Sequence, residues 1–398
     1  MTTTKDAFPR ELLRRTTKER LGYFSSKVVA HPRLIEAYQS LLDVIAEPCG
    51  AALVIVCGPT GVGKTTMQRR VEQRLIEAAQ TEMLRDTRHV PVASVEVAPP
   101  DGQAFSWKDL YRRMLIALHE PAALVIPKPL AKDGSKLAAP GDAPAIELPP
   151  FARAQSFLDL RWAVERSIHE RRPAAMLIDE AQHLNRVMGA RTLQQQMDTL
   201  KSLANTTGVL HVLIGTYELL NMINLSAQLA RRSVEIHFPR YRSEEEQDME
   251  MFANIIYTFE QHLPLKKPSD LLRQRDFLYE GSAGCVGTLK DWLTRALRCA
   301  MDGEAHALTR QHLEKTLDRR KQFQIVREIL EGEETLRAGS TSQQLRALLG
   351  MEHADRLASK GGREQSTRSN KNPAPIRDPK RSRSRPGQRL PRRDPVGK

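Results

Sequence analysis

The chain has 398 residues, 40% hydrophobic, 27% charged and only 5% aromatic. At ~150 residues per domain that is room for two or three domains, with the profile of a globular protein rather than a disordered or membrane-embedded one. The formal charge of +13 sits mostly in residues 356–398, where 14 Lys/Arg face three acids, leaving about +2 on the body, which says little about a partner. Four cysteines (Cys49, Cys57, Cys285, Cys299) form no C-x-x-C pair, which argues against a zinc ribbon or disulfide scaffold and suits a reducing, cytoplasmic setting. No signal-like apolar start or ~18-residue apolar run appears, so no membrane is expected as a partner.

Residues 1–46 read as an N-terminal helical segment, with apolar residues at helical spacing from His31-Pro to Ile45. Ala52–Cys57 is a short apolar run ending at glycine, as a buried parallel strand requires. Val90–Val97, Ala174–Asp179, Val209–Gly215 and Val234–Phe238 repeat that pattern with helical stretches between them. The spacing predicts an α/β domain over 47–242 with a five-stranded parallel sheet. A helix is expected over Trp107–His119, followed by a Pro- and Ala-rich insertion at 120–150.

Past Tyr241 the strand pattern stops. Glu244–His262, Asp270–Glu280, Thr288–Met301 and Thr309–Leu317 carry helical spacing, with Ser243 and Thr309 as N-caps. These make a helical lid over 243–320. Residues 321–398 are read as a last helix, Leu336–Leu357, and a basic tail expected to be disordered. The tail either grips phosphates through counterion release or only aids solubility.

The chemistry concentrates in two places. Gly58, Pro59, Thr60, Gly61, Val62, Gly63, Lys64 and Thr65 fit G-x-x-x-x-G-K-[ST] between a strand and a helix that continues through Thr66. Backbone N–H groups there converge on phosphate oxygens, and the helix N-terminus adds positive potential. Lys64 is assigned to the β and γ phosphates of ATP, and the Thr65 hydroxyl to Mg²⁺. The apolar run at 174–178 ends in Asp179-Glu180, placing Asp179 to hold the metal and Glu180 to activate an attacking water. An acid able to activate water favours hydrolysis over transfer to a hydroxyl, which a small-molecule kinase would need.

Further candidates follow in chain order. Lys108, Arg112 and Arg113 cluster on the helix before the insertion and either touch a DNA backbone or form a solvated face. Thr216, after the fourth strand, either meets the γ-phosphate or caps the next helix. Arg231 and Arg232 precede the fifth strand and either reach the nucleotide of a neighbouring subunit or make surface ion pairs. Lys290 is either a lid residue near the γ-phosphate or an ordinary solvated lysine. Trp107, Trp162 and Trp292 are read as core residues.

With these motifs in this order the chain resembles the AAA+ ATPases. Arg20-Leu-Gly-Tyr-Phe, His31-Pro, Asp179-Glu-Ala-Gln-His-Leu184, Leu200-Lys-Ser-Leu-Ala-Asn205 and Leu213-Ile-Gly-Thr-Tyr-Glu218 are similar to the TniB/TnsC transposition regulators, relatives of Mu B, over roughly residues 18–320. The insertion and the basic tail depart from that pattern. The resemblance implies an ATPase that forms rings or helical filaments on double-stranded DNA in a bacterial cytoplasm. Its implied partners are a transposase and a TniQ/TnsD-like target selector, or a CRISPR effector complex. Another AAA+ class, helicase-loader-like or secretion-associated, is the alternative.

Overall fold

In the computed structural model, residues 7–99, 105–119, 156–185, 190–223, 231–337, 345–346 and 349 are described. The chain divides into two compact units, Met1–Ala338 and Gly339–Lys398, and the elements below belong to the first. The expected insertion and basic tail lie outside the described residues.

The five apolar runs become β1 (Leu53–Cys57), β2 (Val92–Glu96), β3 (Ala175–Asp179), β4 (Leu210–Gly215) and β5 (Ser233–His237). All pair in parallel, in the order β2-β3-β4-β1-β5. Alternating residues feed two cores, as a period of two dictates. Leu53, Ile55, Ala93, Val95, Met176, Ile178 and Leu213 face one cluster, while Val54, Val56, Val92, Leu177, Val212 and Ile214 face the other. Helices α5 (Trp107–Ala117), α6 (Phe157–Arg171) and α7 (Ala190–Thr207) cover the first face. Helices α2 (Pro32–Ala46) and α3 (Lys64–Ala78) cover the second. The three central strands, β3, β4 and β1, are buried on both sides because helices cover both faces of the sheet, whereas the edge strand β5 buries only Ile236.

The N-terminal segment does not act as one piece. Helix α1 (Thr17–Ser26) opens on a capping box, Thr16 with Glu19, and packs Phe24 among lid residues. Its Arg20 guanidinium donates to the carbonyl of Pro264. The remaining helices are α4 (Gln80–Arg85), α8 (Leu220–Ile223), α9 (Glu246–Gln261), α10 (Arg275–Ser282), α11 (Val286–Asp302), α12 (Arg310–Thr316) and α13 (Arg319–Arg337). The lid core is built from α9, α10, α11 and α12 around Phe252, Phe259 and Trp292. Trp292 is 1% exposed and its indole N–H donates to Leu313 O at 3.1 Å.

Three local expectations need correction. Ser243 does not cap α9, which starts at Glu246 after Glu245. No side chain caps this helix; the buried Asp248 carboxylate instead reaches back to accept the Arg242 N–H at 2.9 Å and pairs with Arg33, tying the incoming loop to the first turn. The helix expected over Asp270–Glu280 splits into a 3-10 turn, Leu271–Gln274, and α10, the break falling at Gln274 with φ −108° and ψ 17°, while Asp270 stands ahead of both in the left-handed region at φ 49°. Trp162 is 62% exposed on α6, not core. Helix α13, whose buried residues are Ile329, Gly332 and Glu333, is not among the expected elements, and the helix expected over Leu336–Leu357 lies almost wholly outside the described residues.

Candidate functional site

Parallel pairing puts the ends of β1, β3 and β4 side by side, since Cys57 stands opposite Gly215 and Ile178 opposite Leu213. The loops leaving those three ends form the crevice where open α/β sheets hold ligands.

The loop after β1 adopts the backbone its glycines permit. Gly61 and Gly63 have φ of 78° and 118°. A Cβ on Gly58 would lie 2.3 Å from Phe238 O, and one on Gly61 would lie 2.2 Å from Thr288 Oγ1. Lys64 Nζ donates to the carbonyls of Gly58 and Pro59, both at 2.9 Å. Burial lowers the Lys64 pKa, opposed chiefly by the Glu180 carboxylate. A partly buried cation whose partners are two neutral carbonyls suits anionic oxygens better than those it has.

Thr65 Oγ1 donates to Asp179 Oδ2 at 3.0 Å, so residues 114 positions apart present oxygens to one point. Burial raises the Asp179 pKa, opposed by the Glu180 N–H bonded to Oδ1 at 2.9 Å and by Thr65. Among the described residues no group of three or more His, Cys, Asp or Glu could hold a metal. The two oxygen donors, the Thr65 hydroxyl and the Asp179 carboxylate, suit a hard cation that takes its other ligands from phosphate and water, as Mg²⁺ does. Glu180 itself has φ 54°, a left-handed conformation rare for a residue with a Cβ.

Thr216 follows β4, and its Oγ1 is buried without a hydrogen-bond partner. It does not cap the following 3-10 turn with its side chain. Gln182, to which the sequence patterns give no role, lies between the two strand ends. Its Nε2 donates to Glu180 Oε2 at 2.5 Å, and its Oε1 accepts the Thr216 N–H at 3.2 Å.

The lid closes on the phosphate loop from above. The N–H groups of Gly287 and Thr288, at the start of α11, donate to Gly61 O at 2.7 and 3.1 Å. Lys290 lies one turn further on, half-buried, and burial lowers its pKa. Helix α13 also reaches the site. Thr60 Oγ1 donates to Glu328 Oε1 at 3.3 Å, and Gly332 sits so close to Tyr217 that a Cβ would lie 2.2 Å from its ring. Arg240 locks this helix in place through Glu333 at 2.9 Å and Tyr279 at 2.9 Å. Sequence reasoning missed Glu328, Arg240 and Glu333, because single charges in helical or loop segments carry no sign of where they point.

Two expected clusters lie apart from this crevice. Arg231 and Arg232 are exposed just before β5, and Arg232 Nη1 donates to Asn205 Oδ1 at 3.1 Å. They stand at the amino end of a strand parallel to β1, so a five-residue strand of roughly 16 Å separates them from their own phosphate loop. On α5, Lys108 and Arg113 are exposed and Arg112 is half-buried, with Arg113 paired to Asp109 at 2.7 Å.

Residues 49–223 match the family described as AAA domain, and the five-stranded parallel sheet with its helical C-terminal region is an AAA+ P-loop nucleoside triphosphatase fold. The solved structures to which the chain is similar include the following three. One is the ORC2 protein of Aeropyrum pernix in ADPNP–ADP complexes, at 15% identity over 74% of this chain and 70% of that one, TM-score 0.47. Another is a Walker-type ATPase of Pyrococcus abyssi, at 14% identity over 77% and 75%, TM-score 0.38. The third is Drosophila ORC bound to DNA, at 14% identity over 92% and 86%, TM-score 0.42. No curated protein matches the chain. No helix among the described residues is long and apolar enough to cross a membrane.

Proposed function

We propose that this protein is an Mg²⁺-dependent ATPase that assembles with copies of itself on double-stranded DNA and regulates transposition. The observation that carries the catalytic half is the convergence of Lys64, Thr65, Asp179, Glu180 and Thr216 on one crevice. Thr65 and Asp179 would hold the metal, which supplies neutralisation of phosphate charge when bound. Lys64 and the loop N–H groups would hold the β and γ phosphates, releasing the Gly58 and Pro59 carbonyls. Glu180 accepts a proton from the attacking water. The free Thr216 hydroxyl offers its hydrogen bond to the γ-phosphate or that water, and Lys290 approaches from the lid.

Assembly is supported by the arginine pair. Arg231 and Arg232 stand at the far end of the sheet from their own loop, where they suit the nucleotide of an adjoining subunit and supply charge in trans. Nucleotide bridging two copies makes assembly depend on ATP by linkage, and a head-to-tail contact that does not close produces a filament. The role in transposition, with a transposase and a TniQ/TnsD-like selector or CRISPR effector as partners, rests on the TniB/TnsC-like pieces at Asp179–Leu184 and Gly215–Glu218. Lys108, Arg112, Arg113 and the basic tail are the proposed DNA contacts, through phosphates and therefore sensitive to salt.

Electron microscopy of the full chain with duplex DNA and a non-hydrolysable ATP analogue tests this directly. Rings or filaments that appear only with both ligands are expected. Particles that remain single under every condition, with no ATP turnover, would overturn the proposal.

A further inference from the structure

Glu180 and Thr216 follow different strands, yet one carboxamide binds both. Gln182 donates to the Glu180 carboxylate and accepts the Thr216 N–H, and the side chain that does so is only 8% exposed. The space it occupies is made by a second residue. Gly215 ends β4, and a Cβ there would lie 2.3 Å from Gln182 Oε1 and 2.9 Å from Leu219 Cδ1, both closer than non-bonded atoms approach. So Gly215 is small at the one place where the carboxamide must meet the strand end, although its own φ lies outside the left-handed region. Glu180, meanwhile, holds a left-handed backbone, a strained conformation that persists only where surrounding contacts enforce it.

We infer that Gln182 is a positioning residue that holds the water-activating carboxylate of Glu180 and the strand end bearing Thr216 in one fixed relation, with Gly215 making room for it. This rests on the assignment of Glu180 as the general base. The carboxamide suits the task for a reason of polarity. Its N–H₂ end can only donate and so fits a carboxylate, while its oxygen can only accept and so fits a backbone N–H. A hydroxyl or an apolar side chain could not serve both ends at that span. Because the base and the group facing the γ-phosphate are tied together, a shift of about 1 Å at one is felt at the other, and misplacement on that scale can slow a reaction about 100-fold.

The test pairs two measurements on the full chain. The first is hydrogen exchange of the Thr216 amide without nucleotide, read by mass spectrometry on peptides ending either side of it. The second is steady-state ATP hydrolysis with Mg²⁺. Gln182→Ala should speed Thr216 exchange about tenfold or more and lower kcat about 10- to 100-fold with KM unchanged. Gln182→Glu keeps an acceptor for Thr216 but loses the donor to Glu180, so kcat should fall while the amide stays protected. Gly215→Ala should reproduce both effects of Gln182→Ala. In a Glu180→Gln background, Gln182→Ala should add no further loss, since the two act as a unit.

Gln182→Ala that speeds exchange but leaves kcat unchanged would reduce Gln182 to a structural bond and overturn the inference. Losses that simply add in the double variant would overturn it as well. If Glu180→Gln alone turns over normally, the assignment of the base fails instead, and the exchange data still report whether the bond to Thr216 exists.

Discussion

Lys64 is the residue on which nucleotide binding should depend most. It is a partly buried cation whose partners are two loop carbonyls, so a triphosphate replaces weak acceptors with charged ones. Lys64→Ala removes a charge-assisted hydrogen bond and should weaken ATP affinity roughly 10- to 100-fold, read by titration with a fluorescent analogue, and DNA-dependent assembly should go with it. Glu180→Gln keeps the shape and loses the base. Hydrolysis should drop about 10²–10⁴-fold while analogue binding stays intact, so the DNA-bound form should persist longer after ATP is added. Both sites were legible in the sequence because G-x-x-x-x-G-K-[ST] and an apolar run ending in Asp-Glu are local patterns. Gln182 was not, since nothing in Asp179-Glu-Ala-Gln tells which way that glutamine side chain turns after a left-handed residue.

At the scale of elements, the departures come where the driving pattern is not apolar periodicity. The five strands fall within two residues of their expected ends, because buried parallel strands are continuous apolar runs. Helix α13 was not among the expected elements, and a glycine and a glutamate stand beside Ile329 on its buried face. Its anchor is an ion pair, Arg240 with Glu333, the carboxylate side chain being 4% exposed. Removing Arg240 leaves the buried Glu333 carboxylate only its longer, exposed contact with Arg337 at 3.7 Å, which costs up to about 3–5 kcal/mol. Arg240→Leu should therefore lower the unfolding free energy by about that amount in denaturant titration, or release α13 selectively, seen as faster amide exchange over residues 319–337. Either outcome should also loosen the loop residue Thr60, which α13 touches through Glu328.

For the molecule as a whole, three histidines shielded from water set the acid limit of stability. His31, His211 and His237 are each pushed down to about 4, in each case chiefly by burial. In the unfolded chain they protonate near pH ~6.5, so below that pH the unfolded state binds more protons than the native one. Their contribution is complete above pH ~6.5 and is lost as pH falls toward 4, at about 1.4 kcal/mol per pH unit for each histidine. Melting temperature should fall between pH ~7 and pH ~5, and less steeply in His211→Leu, which removes one of the three. Charge distribution gives a second expectation at this scale. Truncation after Leu357 removes 13 of the 61 Lys/Arg but none of the Met1–Ala338 unit. ATPase activity should survive, while duplex affinity drops and its dependence on salt becomes shallower by about 0.9 for each phosphate that the tail had neutralised.

Short-range order of residues was enough to establish the phosphate loop, the acidic strand end, the alternation of strand and helix, and hence the fold class, because each depends on neighbours within a few positions. Which strand lies beside which, and therefore that Thr65 meets Asp179, that Gln182 joins Glu180 to Thr216 and that α13 returns to the phosphate loop, came only with folding. Those contacts bring together side chains far apart in the chain, and their geometry follows from how whole sheets and helices pack, information that no local pattern contains.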